Sequence, residues 1–383
     1  MMTWLIIDLL SFLFVVLLTG VLIPQILLIA FRKNLFDNPD ERKIHTTPIP
    51  RLGGIAFFPA ILFTMAVAFG MFRQYFPGIM AHISDGSITS LCFLTCAVVT
   101  LYLIGIADDL IGLKYRAKFV AQLMSASLII VGGLELDDLH GFLLIHEMPL
   151  FVSILLTILL TVFITNAINL IDGIDGLASG LSAIACGFYG VIFFNAGLHV
   201  YGMIAFCTLG ALIPFFYYNV FGNAEKHGKI FMGDTGALTI GLLLSVMSIR
   251  ICDLPDEVLK VNPAVIAFAP LLIPCCDVVR VYIHRLKEHR NPFLPDKTHI
   301  HHKLLALGMT PRVAMPTIVA SSLVLTLANY LLSQYIDITL LFCLDLLLWT
   351  LANVALSRAI QRKTVNNDVH TKRQHKLNAV SEI

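Results

Sequence analysis

The chain is 383 residues long, 57% hydrophobic and only 13% charged, with a mean hydropathy of +0.84. Soluble domains carry roughly 25% charged residues, so this composition excludes an ordinary soluble globule and describes a lipid-embedded chain. The formal net charge of +1 excludes a basic field for nucleic acid, and the eight cysteines, mostly inside apolar runs and without a CxxC pair, read as small buried hydrophobes.

A spanning helix needs about 20 mostly apolar residues. Along the chain such runs are predicted at 4–31, 53–72, 88–107, 117–134, 149–168, 177–196, 200–218, 237–252, 263–283, 313–333 and 336–357, eleven in all. The first is expected to stay as an anchor: no Lys or Arg precedes it, it is too long for a signal-peptide core, and no A-x-A site follows. Fold class is thus all-α, a polytopic helical bundle, with 1–357 as one membrane-embedded domain and 358–383 as a polar, weakly ordered tail. Alternating the loops puts 23 of the 26 Lys and Arg on one side, leaving only Arg73, Arg250 and Lys260 on the other. Basic residues near span ends stay cytoplasmic, which predicts an outside N-terminus and a cytoplasmic C-terminus.

Five polar constellations fall on the cytoplasmic side of that topology. The first loop carries Asp37, Asp40, Glu41, Arg42, Lys43 and His45, then a Pro- and Gly-rigid turn from Pro48 to Gly54 with Arg51 inside it. The third span ends in Asp108-Asp109; adjacent carboxylates repel, so they call for a cation or one raised pKa, unless they are only a solvated helix end. Between the fifth and sixth spans, Asn166, Asn169, Asp172, Gly173, Asp175 and Gly176 form a run in which Asx and Gly can turn the backbone and present carboxylates, amides and free N–H groups together. It lacks the spacing of a calcium hand. Next come Asn219, Lys226, Lys229 and Phe231-Met-Gly-Asp234-Thr-Gly236, a turn whose N–H groups suit phosphate and whose carboxylate suits a divalent cation, although capping alone explains one of these residues. The last loop holds Asp277, Arg285, Asn291, Asp296, Lys297 and then His299, His301 and His302. Adjacent histidines without cysteine argue against zinc and for phosphate contact, with an incidental polar loop as the bland reading.

A transporter would place its ionisable groups near mid-membrane in broken helices. Here acids suited to a divalent cation and bases suited to phosphate gather at one interface, which describes phosphoryl transfer to a membrane-bound acceptor. A cation carrier is the competing reading.

Asp108-Asp109, Asn169-x-x-Asp172-Gly-x-Asp175-Gly, Phe231-Met-Gly-Asp234-Thr-Gly and His299-x-His301-His302, in this order, resemble the polyprenyl-phosphate N-acetylhexosamine-1-phosphate transferases, from about Asp37 to His302. The resemblance implies a multi-pass enzyme of the bacterial cytoplasmic membrane, with its site on the cytoplasmic face, that moves a sugar 1-phosphate from a UDP-sugar to undecaprenyl phosphate and releases UMP. It implies Mg²⁺, with Mn²⁺ as a substitute. Ile300 interrupts the three consecutive histidines typical of the UDP-MurNAc-pentapeptide branch, so the chain is more similar to the UDP-GlcNAc-using branch that starts O-antigen, enterobacterial common antigen or teichoic acid linkage units. Gly112 stands where some members carry a third acid, and Lys297 where many have Arg. Carried over by motif, Asp234 and Asn169 are the expected metal ligands, and Asp108 or Asp109 positions or deprotonates the lipid phosphate. Asp172, Gly173, Asp175, Asn219 and Phe231 are implied in uridine recognition, and His299, His301 and His302 in phosphate contact. A rival scheme makes Asp234 a covalent nucleophile. Homodimerisation, the exact donor and the glycan pathway stay open.

Overall fold

In lipid every backbone N–H and C=O must be paired within its own segment, so apolar runs of this length become helices. The computed structural model describes residues 2–36, 48–75, 78, 85–289 and 298–381, with side chains described except at 85–87, 256–257 and beyond 364. In chain order the main helices are α1 (Met2–Lys33), α2 (Phe57–Tyr75, entered by a tight turn at Gly53–Ala56), α3 (Asp85–Ile111) and α4 (Tyr115–Val131). There follow α5 (Leu150–Ile171), α6 (Leu177–Asn195), α7 (His199–Phe216, continued by a wide π turn Tyr217–Phe221) and α8 (Gly233–Cys252). The set closes with α9 (Pro263–Lys287, broken by a tight turn at Ala269–Leu271), α10 (Ile300–Ala306), α11 (Pro311–Leu332) and α12 (Ile338–Ser381). Among the described residues no extended sheet forms, only a single bridge between Asp138 and Glu147.

Ten of these helices are long and apolar enough to cross a membrane, where eleven spans are predicted from sequence. The difference is α4, which has 17 residues, about 25 Å at 1.5 Å per residue, and carries Arg116 and Lys118 in its first turn. It still runs alongside α3 from Ser90 to Asp108. Lys118 at its start meets Asp108 near the end of α3, and Ser90 Oγ near the start of α3 donates to the carbonyl of Gly132 just past the end of α4. The alternation of loops is therefore preserved even though α4 is short.

Helix α8 is the axis of the bundle. Every residue from Thr235 to Ile249 is buried, with α3 and α5 against it, whereas α11 turns Leu323, Val324, Leu327 and Leu331 outward, as a lipid-facing helix must. This axis decides where the chemistry lies. The N-terminus of α8, the C-termini of α3 and α5 and the N-terminus of α4 meet at one end of the bundle, and α10 lies across the same end.

The predicted first-loop residues Asp37, Asp40, Glu41, Arg42, Lys43 and His45, and Asn291, Asp296 and Lys297 of the last loop, lie outside the described residues. The stretch that follows the first loop is described and is tied down. Phe231 N–H donates to Pro50 O at 2.9 Å, Gly53 N–H to Phe231 O at 2.9 Å and Gly54 N–H to Met232 O at 2.8 Å, so residues 50–54 pair with the lead-in to α8.

Candidate active site

The centre is built on the N-terminus of α8. The first N–H groups of any helix lack intrahelical acceptors. Here a neighbouring helix supplies one: Asp109 Oδ1 accepts from Asp234 N–H at 2.7 Å, and its Oδ2 accepts from Thr235 N–H at 2.9 Å and from Thr235 Oγ1 at 2.6 Å. A carboxylate placed there also complements the positive end of the helix dipole. Gly233 makes the approach possible. Its φ is +73°, and a Cβ at this position would meet Arg51 O and both carboxylate oxygens of Asp109 at less than 3 Å.

With its backbone held by Asp109, Asp234 turns its side chain to two donors. Its Oδ1 accepts from Asn169 Nδ2, at the end of α5, at 2.7 Å, and from Lys118 Nζ at 3.4 Å. The same ammonium reaches Asp108 Oδ2 at 3.0 Å, while Asp108 Oδ1 accepts from Leu113 N–H at 2.6 Å. Asp108 and Asp234 thus share one internal cation. One turn from Asn169, Asn166 and Gln122 of α4 exchange amide hydrogen bonds at 2.8 and 3.2 Å, which fixes α4 against α5 and so fixes Lys118.

The turn between α5 and α6 forms the next wall. Asp172 keeps an open path to solvent yet lies deep among protein atoms; desolvation, with Asp175, Asp234 and Asp109 nearby, pushes its carboxyl up to about 7 against the pull of Arg51. Any ligand that needs the ionised form must compete with the proton. Affinity should therefore weaken as pH falls through about 7 and level off above it. Calorimetric titration of UDP from pH 6 to 8.5 checks this, and Asp172→Asn should flatten the dependence. Asp175 Oδ2 is paired with Lys229 Nζ at 2.6 Å. Asn219, in the π turn after α7, is engaged within the protein: Oδ1 accepts from Gly176 N–H at 2.6 Å and Nδ2 donates to Ile230 O at 2.8 Å. It thereby locks the α5–α6 turn to the segment that leads into Phe231.

The histidines close the site from above. Asp277, fully buried on α9, accepts from His299 Nδ1 at 2.8 Å, from Ile300 N–H at 3.0 Å and from Arg280 Nη2 at 2.8 Å, and so seats α10 on α9. His301 is 1% exposed, its ring is parallel to that of His299, and neither ring nitrogen has a hydrogen-bond partner within the protein. Burial, with His302 and His299 beside it, pushes its pKa down to about 3, so within the protein alone the ring is held as the neutral imidazole. Gly173 lies beneath this ring. A Cβ there would be 2.2 Å from His301 Nε2, so the α5–α6 turn and α10 touch only because residue 173 has no side chain.

Among the described residues, Asp108, Asp109, Asn169, Asp172, Gly173, Asp175, Asn219, Phe231, Asp234, His299, His301 and His302 therefore converge on one end of the bundle. Sequence reasoning counted Lys118 only as an orientation signal. Its position in the first turn of an apolar helix, not in the preceding loop, was the available clue to an intramembrane partner.

Beside this centre lies a cavity of about 1290 Å³ between α5, α9, α10 and α12. Leu156, Leu160, Phe163, Leu271 and Leu346 give it an apolar body, and Arg280, Lys287, His302, Lys303 and Arg358 line it as well. Since His301 faces Gly173 and its ring centroid is 4.2 Å from that of His302, the cavity adjoins the carboxylate centre through the histidine pair.

Comparison with known proteins agrees with this arrangement. The model of glycosyl transferase family 4 matches residues 91–252, which include Asp108, Asn169 and Asp234. The chain is 30% identical over 347 residues to a Bacillus subtilis (strain 168) protein named "Probable undecaprenyl-phosphate N-acetylglucosaminyl 1-phosphate transferase", covering 89% of this chain and 90% of that one. It is 31% identical over 338 residues to the Escherichia coli (strain K12) undecaprenyl-phosphate alpha-N-acetylglucosaminyl 1-phosphate transferase, covering 86% of each. It is also 30% identical over 319 residues to the Mycobacterium leprae (strain TN) decaprenyl-phosphate N-acetylglucosaminephosphotransferase, covering 77% of this chain and 74% of that one. With ten apolar helices, an ordered set of acidic and histidine motifs at one end of the bundle and relatives matched over most of their length, this multi-pass membrane protein belongs to glycosyl transferase family 4, among the polyprenyl-phosphate N-acetylhexosamine-1-phosphate transferases.

Proposed function

We propose that the protein transfers GlcNAc-1-phosphate from UDP-GlcNAc to undecaprenyl phosphate, giving undecaprenyl-diphosphate-GlcNAc and UMP, at the cytoplasmic face of a bacterial inner membrane. The observation that carries the reading is the adjacency of two unlike compartments: a carboxylate centre around Asp234 and a large apolar cavity edged with cations. The first suits a nucleotide diphosphate with its cation. The second suits an acceptor that is a long hydrocarbon ending in a phosphate. The relatives named for the same transfer support it, and the positive-inside distribution supports the cytoplasmic placement.

The residues at the centre fit a hard divalent cation. Among the described residues no three His, Cys, Asp or Glu side chains are grouped to hold a metal alone. Mg²⁺, however, is commonly held by one or two carboxylates together with substrate phosphates and water. Asp234 Oδ1 already receives one cation, the Lys118 ammonium, and Asn169 brings an amide whose oxygen is another hard donor. Asp234 and Asn169 would hold Mg²⁺, which when bound supplies charge neutralisation on the departing UMP. Mn²⁺, also a cation for oxygen ligands, would substitute.

This chain's own residues do the rest. Asp109 fixes the turn that aims Asp234. Lys118, which bridges Asp108 and Asp234, would be available to pair with the diphosphate charge once Asp234 holds the cation. With Asp109 committed to the α8 turn, Asp108 is the carboxylate we assign to positioning the acceptor phosphate. Little base strength is asked of it, because a phosphate monoester is mostly dianionic above a second pKa of about 6, so alignment outweighs proton removal. Asp172 and Asp175 line the nucleotide side.

The test is transfer of label from UDP-[³H]GlcNAc to undecaprenyl phosphate by purified protein in detergent, with Asp234→Ala as control. Label entering the lipid fraction, dependent on Mg²⁺ and absent from the control, is the expected result. UDP binding without transfer would mean a different donor sugar, and absence of both would return the carrier reading.

A further inference from the structure

Apart from the carboxylate centre, the described chain gathers cationic groups at one wall of the cavity. Lys303 and Arg280 both line it. The two differ in how they are held. Arg280 Nη2 is fastened to Asp277 Oδ1 at 2.8 Å and also donates to the carbonyl of Thr298. Lys303 Nζ is held by two neutral oxygens of α12, Asn353 Oδ1 and Ser357 Oγ, each at 3.1 Å, and neither partner is a carboxylate. A half-buried ammonium held only by neutral oxygens is costly, and burial together with Arg280 pulls the Lys303 pKa down to about 8. An anion arriving beside it would reverse that cost.

The position narrows the anion. Lys303 directly follows His302, whose ring lies against that of His301 above Gly173, so Lys303 is on the cavity side of the histidine pair and the nucleotide wall is on the other. Trp349, Asn353 and Ser357 follow one another at four-residue spacing on α12, and all line the same cavity. The compartment is thus apolar along most of its wall and cationic where α10 and α12 meet, which is the charge pattern of an amphiphile with one anionic end.

Building on the transfer reading above, we propose that Lys303, braced by Asn353 and Ser357 and assisted by Arg280, binds the terminal phosphate of the polyprenyl acceptor, and that α12 is therefore a wall of the acceptor site. Asn353 and Ser357 are positioning residues in this scheme. They hold the ammonium without supplying a counter-charge, so that pairing is left for the ligand.

The chain contains two tryptophans, Trp4 on α1 and Trp349 in the cavity wall. A Trp4→Phe protein keeps a single indole that reports occupancy of the cavity. Undecaprenyl phosphate in detergent is titrated against its fluorescence, with undecaprenol and inorganic phosphate as separate arms, and KM is measured for both substrates. The expected result is a saturable change with the lipid phosphate, weakened about tenfold or more by Lys303→Gln and largely restored by Lys303→Arg, as loss of a charge-assisted bond requires. KM for undecaprenyl phosphate should rise in step while KM for UDP-GlcNAc moves less than about twofold, and undecaprenol should bind wild type and Lys303→Gln alike. If Lys303→Gln does not fold, the Asn353→Ala, Ser357→Ala double variant, which keeps the ammonium but frees it, should weaken the lipid phosphate about threefold and leave undecaprenol unchanged.

Unaltered lipid phosphate binding in Lys303→Gln overturns the proposal, as does a loss that falls on UDP-GlcNAc, which would make Lys303 a donor contact. Tight binding of inorganic phosphate equal to that of the lipid would overturn the assignment to an amphiphile. Lys303-dependent binding of the lipid phosphate by a protein that transfers nothing would sink the transfer reading and leave this site standing.

Discussion

Asp234→Asn is expected to lower kcat by about 10³-fold or more, in line with the loss of a preorganised charge at a phosphoryl centre. The substitution is nearly isosteric. The backbone N–H of residue 234 stays on Asp109, so the cap of α8 is intact and the protein should reach the membrane in normal amounts. What disappears is the charge at Oδ1 on which Asn169 and Lys118 converge. Steady-state transfer at saturating Mg²⁺ is the measurement, and substantial residual turnover would remove Asp234 from the metal role. The same preparation separates two mechanisms. Direct attack by the lipid phosphate requires both substrates together, so wild type should release no UMP from UDP-GlcNAc when the acceptor is withheld; a stoichiometric burst of UMP would favour a covalent Asp234 intermediate.

Asp109→Asn should lower kcat by about 10²-fold, the scale expected when a catalytic group is displaced by about an ångström. Three of the acceptor sites on the Asp109 carboxylate are taken by Asp234 N–H, Thr235 N–H and the Thr235 hydroxyl, so its chief work is to hold the turn that aims Asp234. An asparagine keeps one acceptor and loses the charge that matched the α8 dipole. The shape of the pH–rate profile should then be unchanged and only its height reduced. Disappearance of its acidic limb would instead identify Asp109 as a base. Asp109→Ala should be worse on both counts, costing activity and, through the lost cap, about 1 kcal/mol of stability.

These two aspartates mark the line between what the residues announce and what only the fold supplies. Helical spans are visible in the sequence because each is a run of apolar side chains, and such a signal is local. The motif residues are visible because polar side chains at span ends are expensive unless used. The division of labour between Asp108 and Asp109 has no such signal, since the partners of Asp109 are chiefly backbone N–H groups that every residue except proline possesses. Asn219 is similar: its type suggests ligand recognition, but its amide bridges Gly176 and Ile230 across the α5–α6 turn. Helix α4 is a different case: the run predicted at 117–134 becomes Tyr115–Val131, stopped at Gly132-Gly133 and extended at its start, where Lys118 serves Asp108 and Asp234. Lys118, Arg280 and Lys303 all contribute to a basic count that orients the chain. That count is additive, and so it conceals which cations face lipid headgroups and which are turned inward.

The Lys118 ammonium between Asp108 and Asp234 has a consequence for how the protein lives without metal. Clustered carboxylates usually make a metalloprotein fragile when stripped, because their repulsion is released into unfolding. Here the repulsion is already answered by a tethered counter-ion that cannot diffuse away. If Asp234 and Asn169 hold Mg²⁺ as proposed, loading would be an exchange of one cation for another, not the filling of a strained void. A chelator should silence the protein while leaving its melting temperature within a degree or two, and activity should return in full on adding Mg²⁺ back. On the proposed Mg²⁺ reading, a cell short of magnesium would then keep a standing reserve of folded transferase.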